Sequence, residues 1–357
     1  MRILYIAPIN SVGGHAFVSR LLLEYLKKEN FVSTIDLSIA SNHNGSLSIR
    51  RFFAVFKIFL KVNFLKCKKD RIYLTISQSL FGNLKDILIF CFLINHLNKV
   101  TLHLHGGSIG ENLFKKNFLI KYINFLFYKK INKIIISGQS HKKIFPNFIQ
   151  DKLEVVQNFA SEEMYVKNEE IENKFNNLNQ VRILFLSNMF PKKGYLHLFE
   201  AYKLINHKFK DFLILDFAGK FYDEQLELEF KNKIKEYKNI NYYGLVSESK
   251  KIKLFNIAHI FCLPTDYLEG QPISIIEAYA SGCCILTTNK PGINDIFKDK
   301  SNGFSIQNNN PSTIASALEN MLDNLDSCKL IALRNRDLAE KNFKKINYFK
   351  SIEEIIC

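Results

Sequence analysis

The stretch that most limits what this chain can fold into runs from His259 to Thr288, HIFCLPTDYLEGQPISIIEAYASGCCILTT. The apolar run Ile260–Leu263 stops at Pro264, and an irregular segment, Thr265–Gln271, follows. Pro272 stands where a first helical residue would be, and Ile273, Ile275 and Ile276 carry the apolar pattern on until Gly282 stops it. Cys283–Thr288 then reads as the next buried strand. Strand, loop, helix, strand is one βαβ unit. Two carboxylates lie in it, Glu269 in the loop and Glu277 about a turn into the helix. A helix N-terminus between them offers free backbone N–H groups and a positive dipole end, which suits an anion such as a pyrophosphate. Most glutamates are solvated surface groups. Here the loop, the Gly-Gln-Pro and the helix start together favour a ligand site.

The same alternation runs through the whole chain. Strands are expected at Arg2–Pro8, Thr34–Ala40, Ile72–Ser77, Lys99–Leu104, Lys133–Ser137 and Leu153–Val156, with helices at Ala16–Lys28, Arg50–Arg71, Leu84–Asn95 and Leu113–Lys130 between them. Ser41–Ser48 is polar and loop-like, and His141–Phe145 reads as a short helix. That is an open parallel sheet. Residues 166–180, inside the polar stretch 161–180, read as a linker. The pattern then restarts: strand Val181–Leu186, loop Ser187–Gly194, helix Tyr195–Ile205, strand Phe212–Ala218, helix Asp223–Glu236, strand Ile240–Gly244, helix Ser247–Phe255, then the βαβ unit. Thr313–Met321 and Cys328–Ile356 are helical. At 357 residues one ordinary core is too small, so two domains are expected, 1–165 and 181–340, with 341–357 as a C-terminal helix.

Charge separates the two halves. Residues 1–165 hold 23 Lys and Arg against 10 Asp and Glu, a net of +13, while residues 166–357 hold 26 against 24, a net of +2. Such asymmetry suggests an anionic partner for the first half. Arg50–Arg71, RRFFAVFKIFLKVNFLKCKKDR, has two readings: an ordinary buried helix with solvated lysines, or an amphipathic helix resting on an anionic membrane surface. No stretch reaches the ~18 apolar residues of a spanning helix. The seven cysteines show no paired metal spacing, and their odd number with no secretory signal points to a reducing, cytoplasmic setting. Charge alone would also admit a nucleic-acid binder, but no recognition-module motif supports one.

The residues Glu269-Gly270-Gln271-Pro272-Ile273-Ser274-Ile275-Ile276-Glu277-Ala278-Tyr279-Ala280-Ser281-Gly282 resemble the E-G-x-P-x-x-x-x-E-A-x-A-x-G pattern of the family-four glycosyltransferases, retaining enzymes of the GT-B fold. Asp299–Phe304 resembles the family's acidic-x-x-N-G-apolar turn, and Pro291–Asp295 its Gly-x-x-acidic loop. Ser187–Gly194 resembles its G-R-L-x-x-x-K-G loop, with Lys193 on the lysine and Asn188 where arginine is common. The first half matches more loosely, through Gly13-Gly14, His105-Gly106, Ser137 and Asn158. The resemblance implies two Rossmann-like doubly wound domains facing a cleft, an acceptor domain at 1–165 and a nucleotide-sugar domain at 181–340, with C-terminal helices packing back on the first domain.

The resemblance further implies sugar transfer from a nucleotide-diphosphate sugar to an acceptor hydroxyl with retention of configuration. Glu277 would bind the ribose hydroxyls and Glu269 would face the donor sugar. Backbone amides near Gly270, Gln271, Pro272 and Ile273 would hold sugar and phosphates. Departure of a nucleoside diphosphate builds negative charge on its β-phosphate, and Lys193 with a helix N-terminus can stabilise it without a metal or cofactor. Asn188 can donate a hydrogen bond but carries no charge. Gly14 permits close backbone approach to the ligand from the other domain. The loop, Ser-Val-Gly-Gly-His, is not a dinucleotide fingerprint. His105 ends a strand at the mouth of the first sheet, where ligands bind in open α/β folds; in the family a histidine here contacts the donor sugar or positions the acceptor. His103 points to the same face and is a rival. The expected partners are a nucleotide-sugar donor, a glycan or lipid-linked acceptor and an anionic membrane surface, with the protein peripheral on the inner face of the cell membrane. A non-catalytic nucleotide-sugar-binding protein of the same fold is the alternative, and the Asn188 departure is its support.

Overall fold

Short apolar runs bounded by Gly, Pro and polar loops become parallel strands buried on both faces. The computed structural model describes residues 1–11, 13–38 and 49–357. The chain divides into two compact units: Met1–Gln157 with Leu268–Gln271 and Ile346–Cys357, and Asn158–Tyr267 with Pro272–Lys345. Each carries a six-stranded sheet, the two-domain α/β architecture of the GT-B fold.

In the first unit β1 (Arg2–Ala7), β2 (Phe31–Asp36), β3 (Arg71–Thr75), β4 (Val100–Leu104), β5 (Lys133–Ile136) and β6 (Leu153–Val155) pair in the order β2-β1-β3-β4-β5-β6, all parallel. The crossover helices are α1 (Gly14–Leu26), α2 (Ile49–Leu65), α3 (Leu80–Phe92) and α4 (Phe118–Tyr128). From β1 the chain steps one way to β2; from β2 through β5 it steps the other way. Right-handed crossovers therefore put α1 on one face of the sheet and α2, α3 and α4 together on the opposite face. The C-terminal helix, Lys345–Ile356, covers α1: Tyr25 stacks on Phe349 at 5.0 Å and its hydroxyl donates to Glu353 Oε2 at 3.0 Å.

In the second unit β7 (Val181–Leu186), β8 (Leu213–Ala218), β9 (Ile240–Tyr242), β10 (Ile260–Leu263), β11 (Cys284–Thr288) and β12 (Gly303–Ile306) pair in the order β12-β11-β10-β7-β8-β9, again all parallel. The helices are α5 (Asn168–Asn176), α6 (Tyr195–Leu204), α7 (His207–Lys210), α8 (Glu224–Ile234), α9 (Glu248–Ile257), α10 (Ile273–Ala280), α11 (Pro291–Asn294), α12 (Pro311–Asp323) and α13 (Leu325–Asn342). Strand order reverses between β7 and β10, the switch point at which such sheets bind ligands beyond the strand C-termini. Phe185, Phe217, Phe230 and Phe261 are wholly buried in this unit's core.

Several expectations need correction. Residues 166–180 are not a plain linker. They hold α5, whose Ile171 and Phe175, four residues apart, are buried in the second unit's core. The Lys174 ammonium is also buried, and donates to the carbonyls of Ala258 at 2.8 Å, Ser281 at 3.1 Å and Gly282 at 2.8 Å. β2 runs over Phe31–Asp36, because it pairs with β1 from Phe31 onward; of the strand expected at Thr34–Ala40, Ile39 and Ala40 lie outside the described residues. The helix expected at Leu113–Lys130 begins at Phe118, where Asn117 caps it by accepting the Ile120 N–H at 3.0 Å. The helix expected at Arg50–Arg71 ends at Leu65. The loop Ser41–Ser48 and Val12 lie outside the described residues.

Candidate functional site

At the switch point of the second unit, loops leave the C-terminal ends of β7 and β10. The Lys192 carbonyl joins them: it accepts the Asp266 N–H at 2.7 Å, the Tyr267 N–H at 3.2 Å and the Thr265 hydroxyl at 3.3 Å. Gly194 makes this approach possible. Its φ is +87°, and a Cβ there would run into the Pro264 carbonyl, so a side chain is excluded twice over. Lys193 is half-buried with its Nζ over the Tyr267 ring, 4.7 Å from the centroid. Asn188 is also half-buried, its carbonyl taken by the Phe190 N–H at 2.8 Å. Lys290 adds a further cation beside this loop, 3.1 Å from Asp266.

Helix α10 starts beyond these loops. Pro272 is its N-cap residue (φ −65°, ψ 112°) rather than its first helical residue, and no side chain caps the N-terminus. Ile275, Ile276, Ala278, Tyr279 and Ala280 are buried, so the helix is a core element, while Ile273 and Ser274 at its start are half-buried. Glu277 is buried in the same helix and its Oε1 lies 2.6 Å from Lys251 Nζ. Burial pushes the Glu277 carboxyl up, against the pull of the lysine. Burial alone would lower the Lys251 ammonium, but Glu277, with Glu248 at 2.9 Å, holds it above its ordinary value. The close contact and the second carboxylate on the lysine favour the ionised pair.

In the first unit the loop after β1 is fastened by Asp36. Its Oδ1 accepts the Ile9 N–H at 2.8 Å, the Ser38 N–H at 2.8 Å and the Ser38 hydroxyl at 2.6 Å, and Oδ2 accepts from Asn10 Nδ2 at 2.7 Å. Burial alone would raise this carboxyl, but the donors outweigh it and hold it below its ordinary value. The glycine conformation falls on Gly13 (φ +125°), the N-cap of α1, and not on Gly14, which is the exposed first residue of the helix. That turn brings His15 against His105, ring centroids 4.1 Å apart, and His105 stacks in turn on His103 at 3.8 Å. Strand alternation places His103 and His105 on one face, as expected. Tyr73 hydroxyl lies 2.6 Å from His103 Nδ1. The Nε2 atoms of all three histidines are shielded from water and have no hydrogen-bond partner in the protein. Burial lowers His15 to about 4 and His103 to about 3, and pushes His105 well below its ordinary value, so the stack is neutral at pH 7.

The segment Glu269-Gly270-Gln271 belongs to this first unit and is buried. Its backbone lies against the turn after β4. The Glu269 carbonyl is 3.4 Å from His141 Nε2, and a Cβ on Gly107 would strike that same carbonyl. A Cβ on Gly270 would strike the His105 carbonyl and come within 2.8 Å of Gly106 Cα. The turn itself is held by Gln78 Oε1, which accepts the Ser108 N–H and hydroxyl, both at 2.8 Å.

The structure thus gathers His105, Glu269, Gly270 and Gln271, with Gly14 at the head of α1, in the first unit. Lys193, Asn188, Pro272, Ile273 and Glu277 lie in the second. Sequence reasoning missed Lys251, Asp36, His15, Gln78 and His141. Only His15 carried a signal, its place directly after the Gly-Gly turn.

Comparison with known proteins agrees with this fold. The family described as glycosyl transferases group 1 matches residues 166–337. An uncharacterized glycosyltransferase of Methanocaldococcus jannaschii is 25% identical over 273 residues, 72% of this chain and 67% of the relative. The capsular polysaccharide biosynthesis glycosyltransferase CapM of Staphylococcus aureus is 24% identical over 235 residues, 62% of this chain and 60% of that protein. Among solved structures, Anabaena HepE in complex with UDP-glucose superimposes with a TM-score of 0.75 at 15% identity, covering 99% of this chain and 98% of the other.

Proposed function

From a chain that has the GT-B fold, and whose residues 166–337 match the glycosyl transferases group 1 family, we propose a retaining sugar transferase. It moves a sugar from a nucleotide-diphosphate sugar to an acceptor hydroxyl of a cell-surface polysaccharide or lipid-linked glycan. The observation that carries this reading is α10. Its N-terminus has no side-chain cap, and it buries Glu277 within reach of Lys251. A ribose hydroxyl donates well to a carboxylate, and Glu277 Oε2 is the oxygen not engaged by Lys251. Lys251 keeps that buried carboxylate charged. The N–H groups at the start of α10 suit the diphosphate. Lys193, already held by Tyr267, meets the charge that develops as the nucleoside diphosphate leaves. His105 enters as a neutral imidazole, a hydrogen-bonding group for a sugar hydroxyl rather than a cation, and Glu269 is assigned to the donor sugar. The Anabaena protein's complex with UDP-glucose supports a nucleotide-sugar donor, and the capsular role named for CapM supports a polysaccharide acceptor.

The test is a thermal-shift panel of UDP-, GDP- and ADP-sugars followed by a transfer or donor-hydrolysis assay. A donor at a hundred times its Kd should add about 2.7 kcal/mol of stability. Glu277→Ala should abolish that shift and the turnover together. An unchanged shift in the variant would remove Glu277 from the site. A donor shift without any hydrolysis or transfer would reduce the protein to a nucleotide-sugar binder.

A further inference from the structure

Exposed apolar side chains are not spread evenly over this molecule. Of the 22 large hydrophobic residues exposed among the described residues, 13 lie between Phe56 and Leu126. Those of the second unit stand singly, which is ordinary for a soluble surface. All of the clustered ones but Ile94 belong to α2, α3 and α4, the helices that share one face of the first sheet.

Each helix carries a stripe. On α2, Phe56, Leu60 and Phe64 recur every four residues and face outward, while Ile58 and Val62 face the core. On α3 the outward residues are Phe81, Leu84, Leu88 and Phe92. Its only charged residues, Lys85 and Asp86, are buried and paired at 3.1 Å. On α4, Phe118, Leu119, Tyr122 and Leu126 face outward. The three helices are joined side by side. Phe59 of α2 stacks on Phe92 of α3 at 5.3 Å, and buried Asn83 of α3 and Asn124 of α4 exchange hydrogen bonds of 3.0 and 2.8 Å. The stripes therefore form one surface with an uncharged centre on α3.

Lysines flank that centre on both sides. Lys57 and Lys61 are exposed on α2, and Lys115, Lys116 and Lys121 on or just before α4. Over residues 49–130 there are 15 Lys and Arg against three Asp and Glu, a net of +12. Phenylalanine and leucine between lysines whose long stems can lie along apolar surface is the chemistry of an interface between hydrocarbon and anionic headgroups. A second copy of the same face would set these lysines against their own counterparts, which opposes self-association. No helix among the described residues is long and apolar enough to cross a membrane, so the contact is with a surface rather than a span.

We infer that the α2–α3–α4 face of the first unit docks on an anionic lipid bilayer. This goes beyond the sugar-transfer reading and does not depend on it. The chain contains no Trp, so a single introduced Trp reports its own surroundings without background. Phe64→Trp, Phe81→Trp and Phe118→Trp replace residues that are 83%, 66% and 80% exposed, and Leu228→Trp, at a 60% exposed site on α8, is the control. Emission should shift to the blue at the three face positions on adding phosphatidylglycerol vesicles, and stay unchanged at Leu228→Trp. Pairing each reporter with Lys61→Glu and Lys121→Glu should weaken vesicle binding by roughly fivefold or more per lysine, and salt should weaken it further. No shift at any of the three positions would overturn the inference. So would a blue shift that grows with protein concentration in the absence of vesicles, which would mean a second copy covers the face. Donor-induced thermal stabilisation of the same variants, read in parallel, separates failure of this inference from failure of the transfer reading.

Discussion

Lowering the pH from 7.5 to 5.5 should weaken the first unit through its stacked histidines. In the unfolded chain these residues titrate near 6.5, and in the fold His15 sits at about 4 and His103 at about 3. The folded values lie below the unfolded ones. The stability the neutral rings contribute is therefore complete above about pH 6.5 and is lost as the pH falls from there toward 4. At pH 5.5 an unfolded histidine is about nine-tenths protonated, whereas His15 and His103 in the fold stay almost wholly neutral. The unfolded state then gains about 1.4 kcal/mol per histidine, or about 3 kcal/mol for the two, and His105 adds in the same direction. Urea unfolding at the two pH values measures the difference. His15→Gln should remove the His15 share, about 1.4 kcal/mol, of the pH dependence. Imidazole proton resonances followed by NMR give the direct reading. Midpoints near 6.5 for these histidines, or identical pH slopes in the wild type and His15→Gln, would refute the argument.

Other perturbations reach other parts of the site. Lys251→Met strands a buried carboxylate at Glu277 and should cost about 3–5 kcal/mol in chemical denaturation, with donor-induced stabilisation lost as well. Gly107→Ala places a methyl group on the Glu269 carbonyl; a loss of about 1–3 kcal/mol is expected, together with reduced turnover in the transfer assay. Lys193→Met should lower kcat by about 100- to 1000-fold. Its effect on stability should stay near ~1 kcal/mol, as for a half-buried cation–π contact. Ile171→Ala should cost about 2–5 kcal/mol, measured by thermal unfolding, because its side chain is wholly buried in the core.

The strands were legible because each is a short apolar run closed by Gly, Pro or a polar loop, and parallel strands buried on both faces leave that signature. α10 was legible from Pro272, its apolar run and Gly282. The shared face of His103 and His105 followed from strand alternation alone. α5 was hidden because Ile171 and Phe175 are its only buried apolar residues, set among Glu, Asn and Lys, and a helix that covers a core with two side chains has a polar composition. The partners of the site residues were hidden for a different reason. Lys251 reaches Glu277 from a separate helix, and His15 reaches His105 from a separate crossover, so those contacts exist only once the sheet order is set. Gly13 and Gly14 could not be told apart in sequence because both lack a side chain; the start of α1 decides which one takes the positive φ.

Lys174 also defines where the second unit can be cut. The carbonyls it gathers, Ala258 before β10 and Ser281 and Gly282 after α10, bracket the strand and helix of the βαβ unit that holds Glu277. Three carbonyl oxygens converge on this one ammonium and so tie α5 to both ends of that stretch. A fragment beginning at Val181 would keep every strand of the second sheet and yet lose that joint, together with the core cover of Ile171 and Phe175. One running from Asn158 to Lys345 retains it. The polar stretch that reads as a linker is therefore the part a truncation must keep if the second unit is to be prepared alone.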